Sequence, residues 1–332
     1  LIVMRMIQRT GSKSFARARV ALVVIDALAS LASCHRREPS PASSDPNAKP
    51  NAPIASVDPA LDSARASLLV DRPYTLRVPA SYDRHAPAPL VILLHGYGSH
   101  AIGIESYLGF RALVETKGIF LAVPNGTVDA RGDRFWNAGD ACCNLFDAKV
   151  DDVAYITALM DDVARKYAID PKRVYVVGHS NGGFMAERLA CDRASRIAAI
   201  VDIAGAASSE TLHCSPSESV ASLHVHGDAD TIIRTSGGKL FEQPALPTYP
   251  SLAVTMGSWA SRNACSGAPS ATGKRLDLDR GLAGAETRID RYASCAKSDV
   301  ELWTVEGGAH SPDFTPAFAE NVYAFLAAHA KR

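Results

Sequence analysis

Ser180 stands between Gly178 and Gly182 in "VVGHSNGGFM" (Val176–Met185), directly after an apolar β-branched run. Such spacing suits a sharp strand-to-helix turn. Glycines on both sides let strand and helix approach, while the serine takes strained backbone angles that hold its oxygen above the sheet edge. The plain alternative is a hydroxyl in a Gly-rich loop. A serine is a weak nucleophile and needs a base, normally a histidine oriented by a carboxylate. In this strand-turn-helix arrangement the acid follows the serine and the histidine follows the acid. Only His310 and His329 lie late enough. His329 falls in the last turn of a terminal helical pattern, where a solvated position is ordinary, so His310, in the loop after "VELWTVEGG", is the expected base. "LHVHGDAD" offers Asp228 and Asp230 as acids, and Asp202 in "IVDIAG" is a third, weaker candidate. Spacing does not separate Asp228 from Asp230, and either could cap a turn instead.

An oxyanion formed at such a serine needs preorganised backbone amides. The residue after the nucleophile, Asn181, supplies one. The second is expected from Tyr97, in the exit of "LVILLHGYG", where Gly96 and Gly98 allow close backbone approach; the ordinary reading of that exit is a Gly-rich strand end. Trp136, in the irregular stretch 127–149, and His179, beside the serine, are candidate substrate contacts. Trp259 and Trp303 read as packing. Asp151 and Asp152 precede an apolar helical run and read as N-cap residues.

Elements that could position these groups alternate along the chain. "YTLRVP", "LVILLHG", "IFLAVPNG", "RVYVVGHS", "IAAIVDIAG", "LHVHG" and "VELWTVEGG" read as strands. Helical patterns cover 105–117, 152–167, 183–193, 253–263 and 316–330. Continuous apolar strands suit a parallel sheet covered on both faces, and the alternation predicts a single doubly wound α/β domain over 65–332.

The 332 residues carry 35 basic and 35 acidic side chains and are 47% hydrophobic, enough for a sizeable core. A balanced charge argues against a nucleic-acid partner. Residues 1–34 read as an export signal: a basic region with Arg5, Arg9, Lys13, Arg17 and Arg19, an apolar stretch Val20–Leu31, and a lipobox-like "LASC" ending at Cys34, the candidate lipidation site. Asp26 interrupts that stretch. Residues 35–64, rich in Pro, Ala and Ser, are expected to form a disordered tether. The protein is therefore expected outside the cytoplasm, meeting a membrane only through an N-terminal lipid. Cys142, Cys143, Cys191, Cys214, Cys265 and Cys295 are an even set that suits disulfides in an exported chain. Sequence order favours Cys191–Cys214 and Cys265–Cys295, with the adjacent pair either bridged or reduced. His224 and His226 alternate on one strand, a spacing also met in metal sites; without further ligands it is weak, and neither metal nor cofactor is expected.

From 72 onward the chain resembles exported esterases of the polyhydroxybutyrate depolymerase and feruloyl esterase group, carbohydrate esterase family one, within the α/β-hydrolase superfamily. "LHGYG", "WNAG" followed by Cys-Cys, "VDDVAYI", "DPKRVYVVGHSNGG", "RLAC", "HGDAD" and "GGAH" occur in that group's order. The resemblance implies an α/β-hydrolase fold and places the acid on Asp230, giving Ser180, Asp230 and His310 as the triad of a serine esterase. It implies an ester substrate and, through "SNGG", "WNAG" and the paired cysteines, the feruloyl side of the group, acting on feruloyl, acetyl or other short or aryl esters of plant polysaccharide. The group's usual Pro-Tyr pair after the acid is replaced by Arg234-Thr235, and its Trp and Pro-Gly after the histidine by Ser311-Pro312-Asp313. An open pocket, polar near Arg234, is expected. A hydroxybutyrate-oligomer depolymerase and a non-catalytic surface binding protein on the same scaffold are the alternatives.

Overall fold

The computed structural model describes residues 59–331; the leader, Cys34 and most of the expected tether lie outside the described residues. Helix α1 (Pro59–Asp71) begins ahead of the expected boundary at 65. Its Ala, Leu and Arg content favours helix once Pro59 has started the first turn, and Leu68 and Leu69 pack on the core.

The strands are β1 (Thr75–Arg77), β2 (Ala88–Leu94), β3 (Phe120–Val123), the two-residue β4 (Thr127–Val128) and β5 (Arg134–Phe135), β6 (Ile169–His179), β7 (Ala199–Ile203), β8 (Ala221–Gly227), the short β9 (Gly238–Lys239) and β10 (Thr248–Tyr249), β11 (Ser266–Leu276), β12 (Thr287–Ala293) and β13 (Val300–Val305). Nine of them form one sheet in the order β1-β3-β2-β6-β7-β8-β13-β12-β11. From β3 through β13 the neighbours are parallel, whereas β1 and β12 run antiparallel to theirs. The sequence reading missed β11 and β12. β11 is polar and exposed almost throughout because it is an edge strand, so it carries no apolar run. β12 alternates instead of running apolar.

The helices are α2 (Ala101–Leu108), α3 (Arg111–Lys117), α4 (Asp152–Lys166), α5 (Asn181–Asp192), the one-turn α6 (Ser209–Leu212), α7 (Leu252–Arg262) and α8 (Pro316–Ala327). One helix was expected over 105–117; Gly109 splits it, because its left-handed φ of 70° ends α2. The sheet is covered on both faces. Leu90, Ile92 and Leu94 join a core with Leu159, Phe184 and Leu189, while Val91 and Leu93 join another with Leu113, Phe318 and Val322. Successive residues of β2 serve opposite faces, so a continuous apolar run is the natural sequence for it.

Two expected disulfides, Cys191–Cys214 and Cys265–Cys295, are present, and Cys142 is bonded to Cys143. Chain order reverses at β2: the chain moves outward to β3, then returns across β2 to β6. A crevice outside the carboxyl ends of β2 and β6 is the expected ligand position in such a sheet. The β2 exit carries Gly96 to Gly98, and the β6 exit carries Ser180.

Candidate active site

β6 ends in the turn that carries Ser180, at φ 54° and ψ −120°. A non-glycine residue holds such angles only when its surroundings over-determine them. Here the Ser180 amide donates to the Ile203 carbonyl at 2.7 Å, and the Ser180 carbonyl accepts from Gly183 at 2.7 Å. The flanking glycines are needed for proximity. A Cβ on Gly178 would lie 1.9 Å from the Gly182 carbonyl oxygen, and one on Gly182 would lie 2.2 Å from that of Leu94.

His310 reaches this serine from the loop between β13 and α8. Its Nε2 lies 3.0 Å from Ser180 Oγ and its Nδ1 2.7 Å from Asp230 Oδ2. The ionised Asp230 oxygen can only accept, so Nδ1 donates and Nε2 is left to accept the serine proton. Asp230 lies just beyond β8, and its Oδ1 accepts from the amides of Ile232 at 2.7 Å and Ile233 at 3.0 Å. Burial alone would raise its pKa. Hydrogen bonds from His226 and His310, the His310 charge and the Ile232 amide outweigh burial and hold it well below the usual carboxylate range. Asp228 takes the other role foreseen for this pair: its Oδ1 accepts from the Gly307 amide at 2.6 Å in a turn. Asp202 is fully buried and makes no bond to His310, and His329 bonds Asp299 at 3.1 Å.

The β2 exit comes close to the serine: a Cβ on Gly96 would sit 3.3 Å from Ser180 Cβ. Asn181 is the first residue of α5, so its N–H has no acceptor within the helix. Tyr97 lines the cleft beside Ser180, its hydroxyl donating to Asp129 at 2.5 Å. His95, which sequence reasoning did not single out, holds this exit. The Gly126 amide donates to its Nε2 at 2.9 Å, so its Nδ1 must carry the proton that bonds the Gly96 carbonyl at 2.8 Å. Burial pushes the imidazole down to about 4, which keeps it neutral in that role.

Trp136 is not where a substrate contact must be. It is 0% exposed, its Nε1 donates to the His95 carbonyl at 2.9 Å, and its backbone exchanges bonds with the Asn181 side chain at 2.7 and 3.0 Å. It braces both loops from below. Asp152 likewise is no N-cap. Asp151 caps α4, while buried Asp152 accepts from Arg72 and from the Asn137 amide, each at 2.6 Å, and so ties the stretch before α4 to the core. His179 does line the cleft, with Nε2 donating to the His310 carbonyl at 3.0 Å; burial and the His310 charge lower its pKa. Arg234 pairs with Glu242 and does not line the cleft.

That cleft, about 310 Å³, is lined by Gly96, Tyr97, Ile104, Tyr107, His179, Ser180 and His310 among others. A larger one of about 540 Å³ lies around Asn137, Asp147 and Arg188, but it contains no nucleophile with a base. Among the described residues, side-chain ligand atoms of buried Glu187, Asp202 and His224 come within 4.8 Å of one another.

Residues 78–254, more than half of the chain, match the phospholipase/carboxylesterase family. The chain is 28% identical to the putative esterase NocK of Nocardia uniformis over 76% of its length and 74% of that protein's. It is 27% identical to feruloyl esterase D of Neurospora crassa, over 73% and 74% respectively. Among solved structures, an acetyl xylan esterase from Aspergillus awamori superposes at a TM-score of 0.53 with 14% identity, covering 76% of this chain and 93% of that one. A Bacillus cereus carboxylesterase does so at 0.51 with 13% identity, covering 80% and 98%. The two structural likenesses concern the fold alone. By its family match and its relatives, the chain belongs to the phospholipase/carboxylesterase family of the α/β-hydrolase superfamily, and it is a carboxylic ester hydrolase.

Proposed function

We propose that the chain is an exported serine esterase that cleaves feruloyl, acetyl or related short and aryl esters of plant polysaccharide through an acyl-enzyme. The observation that carries this reading is the unbroken series Ser180–His310–Asp230, at 3.0 and 2.7 Å, opening into the cleft. His310 Nε2 takes the Ser180 Oγ proton as the oxygen attacks the ester carbonyl. The oxyanion is met by the N–H groups of Tyr97 and Asn181, which cost no reorganisation because the β2 exit and the start of α5 already fix them. The tetrahedral adduct collapses, and the leaving alkoxide takes the proton from His310 Nε2. A water then repeats the sequence on the acyl-enzyme and restores Ser180. Asp230 stays ionised throughout and stabilises the imidazolium.

Cleft size bears on substrate. At about 310 Å³ it stands at the small end of ligand pockets and suits one acyl group of aryl size in a cleft that Tyr97 and Tyr107 help to line, with the alcohol left outside. Relatives named feruloyl esterases support the same class. The test compares kcat/KM for methyl ferulate and acetylated xylan with that for hydroxybutyrate oligomers, using Ser180→Ala as the blank. A preference for hydroxybutyrate oligomers would overturn the substrate, and undiminished hydrolysis by purified Ser180→Ala would overturn the mechanism. Export rests on the leader and on the paired cysteines, and the mature N-terminus of protein made in an export-competent host tests it. Processing ahead of Cys34 with an attached lipid is expected, and an intact N-terminal leader would refute it.

A further inference from the structure

The proposed triad does not account for a row of buried polar groups behind Asp230. His226 Nε2 lies 2.7 Å from the Ile233 carbonyl and 3.1 Å from Asp230 Oδ2. Both partners only accept, so Nε2 must carry a proton. In a neutral His226 the Nδ1 then holds a lone pair. It lies 2.9 Å from His224 Nε2, which must therefore be the donor. The two rings are within 5° of parallel. His224 Nδ1 is left as a second lone pair, and it faces Asp202 Oδ2 at 3.3 Å, with no other side chain bonded to either atom. Two lone pairs in a fully buried contact repel. One proton must lie between them.

We propose that Asp202, His224 and His226 form a positioning relay in which one proton shared by Asp202 and His224 fixes both imidazole tautomers and so supplies Asp230 with its His226 donor. The inference rests on Asp230 being the triad acid. Loss of one proton from the row reverses it: the shared proton passes fully to His224 Nδ1, the His224 Nε2 proton passes to His226 Nδ1, and the His226 Nε2 proton leaves. His224 Nδ1–H then donates to the Asp202 carboxylate, His226 Nδ1–H donates to His224 Nε2, and His226 Nε2 presents a lone pair to Asp230 and to the Ile233 carbonyl. Asp230 loses one donor and gains a repulsive neighbour, although the carboxyl that ionises lies two imidazoles away.

The surroundings place that proton on the carboxyl side. Burial, opposed by the His226 imidazole and the Gly205 amide, raises Asp202 well above the usual carboxylate range; burial also lowers His224. Other elements contribute a few groups. From α5 comes Glu187, itself raised by burial and by repulsion from Asp202. From α7 come Trp259, whose Nε1 donates to Glu187, and Arg262, whose charge acts on Glu187. Ser222, one alternation earlier on β8, has a buried hydroxyl without a partner, and on β13 Leu302 and Thr304 stand opposite His224 and His226.

The test uses protein with 15N-labelled histidine, in the wild type and in Ser180→Ala, titrated from about pH 5 to about pH 9, where a raised buried carboxyl changes charge. Nitrogen shifts report each tautomer without any turnover. Both His224 and His226 are expected as Nε2–H at the acidic end and as Nδ1–H at the basic end, switching together. Asp202→Asn, whose amide N–H permanently replaces the carboxyl proton, should lock both as Nε2–H. Glu187→Gln should leave the switch in place. In steady-state ester hydrolysis the wild type should lose about tenfold in kcat at the basic end with KM unchanged, the scale of one charge-assisted hydrogen bond, and Asp202→Asn should not. Independent switching, Nδ1–H tautomers at acidic pH, or an unlocked Asp202→Asn would each overturn the relay. So would stoichiometric metal in the purified protein that Asp202→Asn abolishes. If the wild type hydrolyses no ester, the proposed function fails, while the tautomer measurement still decides the relay.

Discussion

Replacing Asp230 by asparagine tests the acid assignment through the four bonds its carboxylate accepts. Oδ1 takes the amides of Ile232 and Ile233 at 2.7 and 3.0 Å, and Oδ2 takes His310 Nδ1 and His226 Nε2 at 2.7 and 3.1 Å. An asparagine has one acceptor oxygen and one donor amide. The backbone amides are fixed, so the oxygen stays with them and the NH₂ turns toward the imidazoles. It donates to His310 Nδ1 and leaves the ring proton on Nε2, which faces Ser180 Oγ at 3.0 Å. In that tautomer the ring has no lone pair for the serine proton. The expected loss in kcat is about 10⁴-fold, the scale seen when a triad imidazole is held in the wrong tautomer. That corresponds to about 5 kcal/mol of barrier. Asp228→Asn keeps an amide oxygen for the Gly307 N–H, so its loss should stay below about tenfold, as for an ordinary exposed substitution. Turnover of an aryl acetate at saturation measures both, with circular dichroism to verify folding and Ser180→Ala as the contamination blank. An Asp230→Asn enzyme keeping more than about a tenth of the wild-type kcat would refute this reasoning, since the wrong-tautomer penalty is far larger. A reversed ranking of the two variants would do the same.

Trp136→Phe should cost about 1–3 kcal/mol of stability, because the buried His95 carbonyl loses its donor, while KM for aryl esters stays unchanged; a raised KM with unchanged urea midpoint would restore Trp136 as a ligand contact. Gly178→Ala places a methyl 1.9 Å from a backbone oxygen that cannot retreat, so a loss of about 3 kcal/mol or more is expected, read as a fall in urea midpoint or in soluble yield. Asp230's pKa is depressed on folding, so its stabilisation is present above the ordinary carboxylate value of about 4 and is lost as pH falls from there through the lower folded value. The difference in urea midpoint between wild type and Asp230→Asn should accordingly shrink below about pH 4; a gap independent of pH would contradict the shift. Removing the Cys191–Cys214 bridge, which spans 23 positions, should lower stability by about 3 kcal/mol in a paired Ser variant relative to oxidised wild type, and unchanged thermal unfolding would count against it.

Signals that act over a few residues were legible in the chain itself. The apolar runs of β2, β3, β6, β7, β8 and β13 announce strands buried on both faces, because each such residue must be apolar whichever way it points. The Gly-x-Ser-x-Gly turn announces itself because no other residue tolerates the backbone oxygens packed against Gly178 and Gly182. The order of Ser180, an aspartate and His310 followed from that turn, and the choice of Asp230 over Asp228 came only through resemblance. Tertiary structure decided what depends on partners distant in sequence. Edge strand β11 is polar because one side of the sheet ends there, and a polar alternation does not distinguish an edge strand from a loop. Trp136 has the composition of a ligand-stacking residue, yet its N–H finds the His95 carbonyl 41 positions away and it becomes a brace. Asp202, His224 and His226 carry no local pattern that marks them as a row. They meet because β7 and β8 pair in register, Asp202 opposite His224, and because a side-chain period of two puts His226 on the same face. Strand register is a property of the folded sheet, fixed by the pairing of whole strands, and no single stretch of sequence contains it.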